Sequence, residues 1–512
     1  MRKLLLPFLL VSTLVVSAQK KNTPPYFAAT INADDMKRHL YIIAGPEMEG
    51  RDTPSPGLEK AADYIENHFK SLGLTPGNNG SFRQQYPLYK DSMTGTILEV
   101  NGTAFELTKD FQPNAQINHT AEMRFSEVVF AGYGIVDGAI DDYKELDLKG
   151  KLVLIMEGFP TGYKSSVTGF ASPVNVFTKI NKAREKGAAA VMVVYGNYPR
   201  KTMTSSSNYN LHGFREAVYP LVFTVSENVA ASILGADGKG LIEKMKTTQL
   251  PSKVYEANVA LGYFKNTSTV YASNVLGYVE GTDKKDEYVI ITSHYDHVGK
   301  RSDGTIYYGA DDDGSGTVGI LELAEAFAKA KAAGKGPRRT VVFMTVSGEE
   351  KGLWGSEYYS NHPVFPLEKT TVDLNIDMIG RIGEEYLKDK DSVNYVYVIG
   401  DDKLSTDLTP ITDEINKKYT KMKLDRKYND PNDKNRFYYR SDHYNFAEKG
   451  VPVIFYFNGV HADYHKPTDT PDKINYKLMA KRGQLVFYTA WEMANRNDML
   501  KRDLKLEKPK GF

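Results

Sequence analysis

Five short segments in the C-terminal half of the chain each carry a metal-seeking residue, and four of them sit at or just after a strand-like apolar run. They hold His294 and Asp296, the triplet Asp311, Asp312 and Asp313, the pair Glu349 and Glu350, then Asp377, and finally Tyr464 and His465. The runs at 288–292, 340–346, 372–377 and 451–456 read as strands, the first two continuously apolar as expected of a strand covered on both faces. Between the first two, Ile320, Leu321, Ala324, Phe327 and Ala328 fall on one face of a helix predicted over 317–330. Ligands of open α/β sheets bind outside the carboxyl ends of the strands, so the sheet delivers these residues to one edge. Two histidines and several carboxylates in that arrangement describe a site for two metal ions.

The bulk properties narrow the chemistry further. A formal net charge of +1 over 512 residues argues against a nucleic-acid or membrane-surface partner, either of which favours a basic excess. The chain has no cysteine, so disulfides, thiolate ligands and a cysteine nucleophile are excluded. Zinc, if present, must be held by histidine and carboxylate, which suits an open catalytic site better than a closed structural one. Arg2 and Lys3, an apolar stretch over 4–16 and the small residues Ser17 and Ala18 read as a secretory signal of 18 residues. Its removal would leave a secreted or periplasmic protein with no membrane segment.

Four regions follow from the pattern: the signal at 1–18, an N-terminal part of the main domain at 19–120, an inserted unit at 121–262, and the main domain at 263–512. Helical spacing over 34–74 is broken by Gly45-Pro46 and by the loop from Arg51 to Gly57; residues 78–120 read as short strands and turns. The unit at 121–262, with its segments 128–135, 148–155 and 187–194, resembles the β-rich protease-associated (PA) module found inserted in secreted peptidases. From 263 onward the alternation is of βαβ type, and the expected fold is α/β, a mostly parallel mixed sheet flanked by helices.

In order and spacing, the five segments resemble the M28 family of co-catalytic zinc peptidases, over about 180 residues. The resemblance implies the zinc-exopeptidase, phosphorylase/hydrolase-like fold and two zinc ions. Asp312 would bridge them, His294 and Asp377 would complete one site, and Glu350 and His465 the other. Glu349 would be the general base, Asp296 would accept the second N–H of His294, and Tyr464 would help stabilise the oxyanion. A cis peptide bond after Asp312 is also implied. His297 and His461 are assigned to supporting or surface positions, and Ser441 or Asp442 to a helix cap or a specificity-pocket wall.

The physical need for such a set stands without the family. Two divalent ions hold a hydroxide at neutral pH and polarise the scissile carbonyl. A carboxylate off the metals must take the water's proton and pass it to the leaving amine. A calcium loop at 311–313 fails because Gly309 occupies the first ligand slot of the Asp-x-Asp-x-Asp-Gly spacing. The expected function is a secreted metallo-aminopeptidase acting on peptides with a free N-terminus. The alternatives on the same scaffold are a carboxypeptidase, for which Arg381 is the nearby cation, a glutaminyl cyclase, or a non-catalytic binding protein.

Overall fold

The computed structural model describes residues 23–214, 217–247 and 250–507, so the signal expected at 1–18 lies outside the described residues. The described chain forms two compact units, one of residues up to Tyr86 together with Tyr271 onward, the other Pro87–Val270. The second unit thus begins before the predicted position 121 and ends after 262. Residues 111–113 explain the earlier start, because they form an antiparallel edge against the strand Leu221–Val225. Beyond that edge, the strands Ala121–Phe130, Leu152–Met156, Ala190–Val194 and Leu221–Val225 run parallel over a shared apolar core. Arg83–Val100 is one long strand where short strands and turns are predicted; Pro87 and Gly95 inside it read as breakers.

In the first unit seven strands pair in the order β6-β5-β7-β4-β2-β3-β1. They are β1 (the 271–279 part of Lys253–Val279), β2 (Lys284–His294), β3 (Arg339–Val346), β4 (Thr370–Ile376), β5 (Tyr395–Ile399), β6 (Lys423–Asp425) and β7 (Val453–Phe457). The central four, β3, β2, β4 and β7, are parallel, while β1 runs antiparallel to β3 and β5 antiparallel to β7. Every residue of β3, β4 and β7 is buried.

Strand alternation shows that both faces are covered. Val342 and Met344 pack with Tyr359 and Phe446. Phe343, between them, meets Phe327 of the helix α1 (Gly316–Ala332), which in turn meets Phe487 of α2 (Tyr476–Asn495). Among the described residues, no helix is long and apolar enough to cross a membrane.

Candidate metal centre

The parallel strands end where the acids and histidines begin. His294 is the last residue of β2, Glu349 and Glu350 follow β3, Asp377 follows β4, and the segment after β7 carries Tyr464 and His465. Asp312 comes from the turn Ala310–Ser315 that leads into α1, where its backbone is not helical (φ −103°, ψ 98°). The peptide between Asp312 and Asp313 is cis, as the resemblance implies. Gly309, at φ +54°, makes room for this turn: a Cβ there would come within 2.4 Å of the His297 ring.

The five residues expected to hold metal converge. Asp312 Oδ1 lies 3.4 Å from His294 Nε2, and Asp312 Oδ2 lies 3.0 Å from His465 Nε2. On the first side, Asp377 Oδ1 is 3.7 Å from His294 Nε2; on the second, Glu350 Oε2 is 3.1 Å from His465 Nε2. Glu349 reaches within 3.9 Å of His294 Nε2 without entering either group. Tyr464 stacks on the His465 ring at 3.9 Å and shares a pocket wall with Asp312, Glu349 and Asp377.

Some placements differ from the sequence reading. His297 is fully buried, and its Nδ1 sits 2.8 Å from Glu350 Oε1 and 3.8 Å from Asp312 Oδ2, so it touches the cluster itself. His294 Nδ1 is closest to the Asp296 backbone carbonyl, 3.1 Å away, with the carboxylate at 3.6 Å. That carboxylate accepts the Glu349 backbone N–H instead (3.2 Å). Neither Ser441 nor Asp442 caps the following helix. Ser441 donates to Asp377 Oδ2 (2.7 Å) and accepts from Asn375 (2.9 Å), while Asp442 accepts from Ser356 (2.5 Å).

Three supports were hidden from the sequence. Arg51 is fully buried and donates to the carbonyls of Tyr295, Ile43, Tyr308 and Gly309 at 2.7–2.8 Å, tying the His294 loop to the Asp312 turn. Asp313 Oδ1 accepts the backbone N–H groups of Gly316 (2.8 Å) and Met378 (3.0 Å), which positions the residue beside Asp377. Asp469 Oδ2 accepts Asp311 N–H (2.9 Å), and Asp311 faces His461 at 3.2 Å. An arginine in a Gly/Pro-rich loop normally reads as solvated, so nothing in the local pattern marks Arg51.

The electrostatics are those of a crowded, desolvated acid cluster. Burial raises the Glu349 carboxyl well above the ordinary range, against the pull of His294 and with Glu350 and Asp377 adding to it. Burial also opposes charge on Asp312, yet His294 and His465 outweigh it and hold that carboxyl well below its usual value. Burial works against protonated His465, but Asp312 and Glu350 raise it to about 10.

The donor set fits zinc. His294 Nε2 and Asp312 Oδ2 are buried and make no hydrogen bond of good geometry, and imidazole with carboxylate is a zinc-type ligand set. Ligand atoms of His297, Asp312 and Glu350 lie within 4.8 Å of one another, as do those of His294, Asp313 and Asp377. Asp313 Oδ1 accepts two backbone amides and its Oδ2 has no hydrogen-bond partner, while the two oxygens of Asp312 face His294 and His465 separately.

Residues 274–490 match the model of Peptidase family M28. A probable leucine aminopeptidase of Arthroderma otae is 29% identical over 219 residues, covering 42% of this chain and 56% of that protein. A glutamate carboxypeptidase 2 homolog of Caenorhabditis elegans is 28% identical over 427 residues, 68% of this chain and 51% of that one. The chain thus spans about half the length of these two curated relatives. Leucine aminopeptidase 2 of Arthroderma otae is 25% identical and covers 91% of this chain and 86% of its own. In fold, the chain matches an aminopeptidase from Aneurinibacillus sp. strain AM-1 with a TM-score of 0.53 at 20% identity, over 94% of this chain and 99% of that one.

Proposed function

We propose, from the match of residues 274–490 to the model of peptidase family M28, that the chain is a metallo-aminopeptidase that removes N-terminal residues from peptides. The observation that carries this reading is Asp312, whose two carboxylate oxygens face His294 and His465 separately. His294, Asp312 and Asp377 would hold one zinc ion, and Asp312, Glu350 and His465 the other. Bound zinc supplies Lewis acidity toward the scissile carbonyl and makes water a nucleophile near neutral pH.

The remaining steps belong to the chain's own groups. Glu349, half-buried beside the cluster but outside both ligand groups, takes a proton from the attacking water and returns it to the amine nitrogen as the C–N bond breaks. Tyr464 O–H donates to the oxygen that gains charge on the tetrahedral carbon. Asp296, through its carbonyl to His294 and its carboxylate to the Glu349 amide, keeps the ligand and the base in register. The free α-ammonium of a substrate finds its counter-charge in the same carboxylates. The reading also takes 1–18 as a cleaved signal that leaves a secreted or periplasmic protein, and Pro87–Val270 as an accessory unit of the protease-associated type.

For the carboxypeptidase alternative, the cation expected to hold a C-terminal carboxylate is Arg381. Arg381 is engaged elsewhere, 2.8 Å from Asp463 and 3.6 Å from Asp469. The test is a panel of aminoacyl amides with free and with acetylated amines, with metal content measured on the same sample. Cleavage confined to the free amines, at about two metals per chain, is the expected outcome; cleavage of the acetylated substrates would overturn it.

A further inference from the structure

The pocket beside the cluster has apolar, acidic and cationic walls. Met378, Phe437, Phe455, Phe457 and Val460 make one wall apolar, Asp312, Glu349 and Asp377 line the side toward the cluster, and Arg440 is the one cationic side chain lining it among the described residues. Arg440 is exposed, and no carboxylate lies within ion-pair distance of it among the described residues. Its guanidinium lies over the Phe437 ring at 4.9 Å, and its Nη2 donates to the Tyr464 hydroxyl at 3.4 Å. Stacking on Phe437 and the bond to Tyr464 hold the fork beside the group assigned to the reacting carbonyl. An arginine fork is matched in shape and charge to a carboxylate, which it binds through paired N–H donors.

We infer that Arg440 is a specificity-determining residue that reads a carboxylate on the substrate residue immediately after the scissile bond. The inference rests on the aminopeptidase reading. The apolar walls suit an apolar first side chain, which leaves Arg440, next to Tyr464, for the leaving residue. Two sources share this chemistry: the free C-terminal carboxylate of a dipeptide, and the acidic side chain of a second residue within a longer peptide. A substrate of either kind brings its counter-ion to a cation that lacks one within the protein.

The experiment compares kcat/KM for Leu-Gly, Leu-Gly-amide, Leu-Glu-amide and Leu-Gln-amide, with Glu-Gly-amide as the control for an acidic first residue. It is run on the metal-loaded full chain and on Arg440→Met and Arg440→Lys. In the native protein Leu-Gly over Leu-Gly-amide, Leu-Glu-amide over Leu-Gln-amide, or both, should be favoured about tenfold or more, chiefly through KM. The first ratio reports the C-terminal source and the second the side-chain source. Arg440→Met should bring the favoured ratio near one, and Arg440→Lys should restore part of it. Equal cleavage of both members of each pair overturns the inference while the aminopeptidase reading stands, as does a preference for Glu-Gly-amide over Leu-Gly-amide. Cleavage of none of the free-amine substrates overturns that reading itself.

Discussion

Two buried acid clusters in the first unit behave differently. At the strand ends, Asp312, Glu350 and Asp377 converge with His294, His297 and His465 over 2.8–3.8 Å. On α1, Glu322 is as deeply buried, 1% exposed, but it faces one histidine, His39, at 3.8 Å, and that ring is hydrogen-bonded to Tyr64 through its other nitrogen (2.7 Å). His68 lies beside it with its ring centroid 4.8 Å from that of His39, yet Glu322 belongs to neither of the groups whose ligand atoms crowd together in threes. Burial, followed by the charges of Glu325 and Asp35, raises the Glu322 carboxyl to about 8, while burial and then His68 and Arg38 lower His39 to about 4. One cluster calls for cations; the other is resolved by keeping both groups neutral. Desolvation alone does not make a metal site, which also needs several donors converging on one point.

The sharpest way to break this contrast is at the strand ends. Glu349→Gln should lower kcat by about a thousandfold while metal content stays near two per chain, as read by elemental analysis; loss of metal with activity would mean that Glu349 is a ligand. Chelation should abolish turnover and lower the thermal midpoint, and added zinc should restore both. Arg51→Met leaves four buried carbonyls without their donor and the nearby acids without a cation, and should cost about 3–5 kcal/mol of stability in denaturant titrations. Metal affinity should fall with it.

The smallest effect is expected at Glu322. Its pKa is raised in the folded state, so the fold binds more protons than the unfolded chain between the ordinary glutamate value and about 8. Stability therefore falls as pH rises through that window. His39 has the opposite sign: its stabilising contribution is lost as pH falls from about 6.5 toward about 4. Glu322 contributes roughly 2 kcal/mol of the fall between about pH 6.5 and about pH 8, beside His465, whose raised value of about 10 adds a fall of the same sign. Glu322→Gln should flatten that slope; an unchanged slope would show that this carboxyl does not titrate there.

Much of the core and of the site was legible because period and position carry them. Continuous apolar runs mark β2 and β3, and the acids placed just after strands fall at one sheet edge. What could not be read depends on contacts distant in sequence. Arg51 finds its acceptors in Tyr295, Tyr308 and Gly309, more than 240 residues away. Ser441 sits at a helix start, where a cap is the local expectation, but Asp377 offers a buried carboxylate that the local pattern does not contain. His297 lies three residues past His294 and has no motif of its own; only the turn around Gly309 brings it to Glu350. The long strand Arg83–Val100 was obscured by Pro87, Gly95 and its many polar residues.

The most direct test of a two-ion centre built on Asp312 is metal content per chain, measured side by side for the native protein and Asp312→Asn after equilibration with zinc. Two ions in the native protein and none, or one held weakly, in the variant is the expected result, since a single substitution then disturbs both halves of the site. Two ions retained in Asp312→Asn would contradict the bridging role, and fewer than two in the native protein would contradict the centre itself.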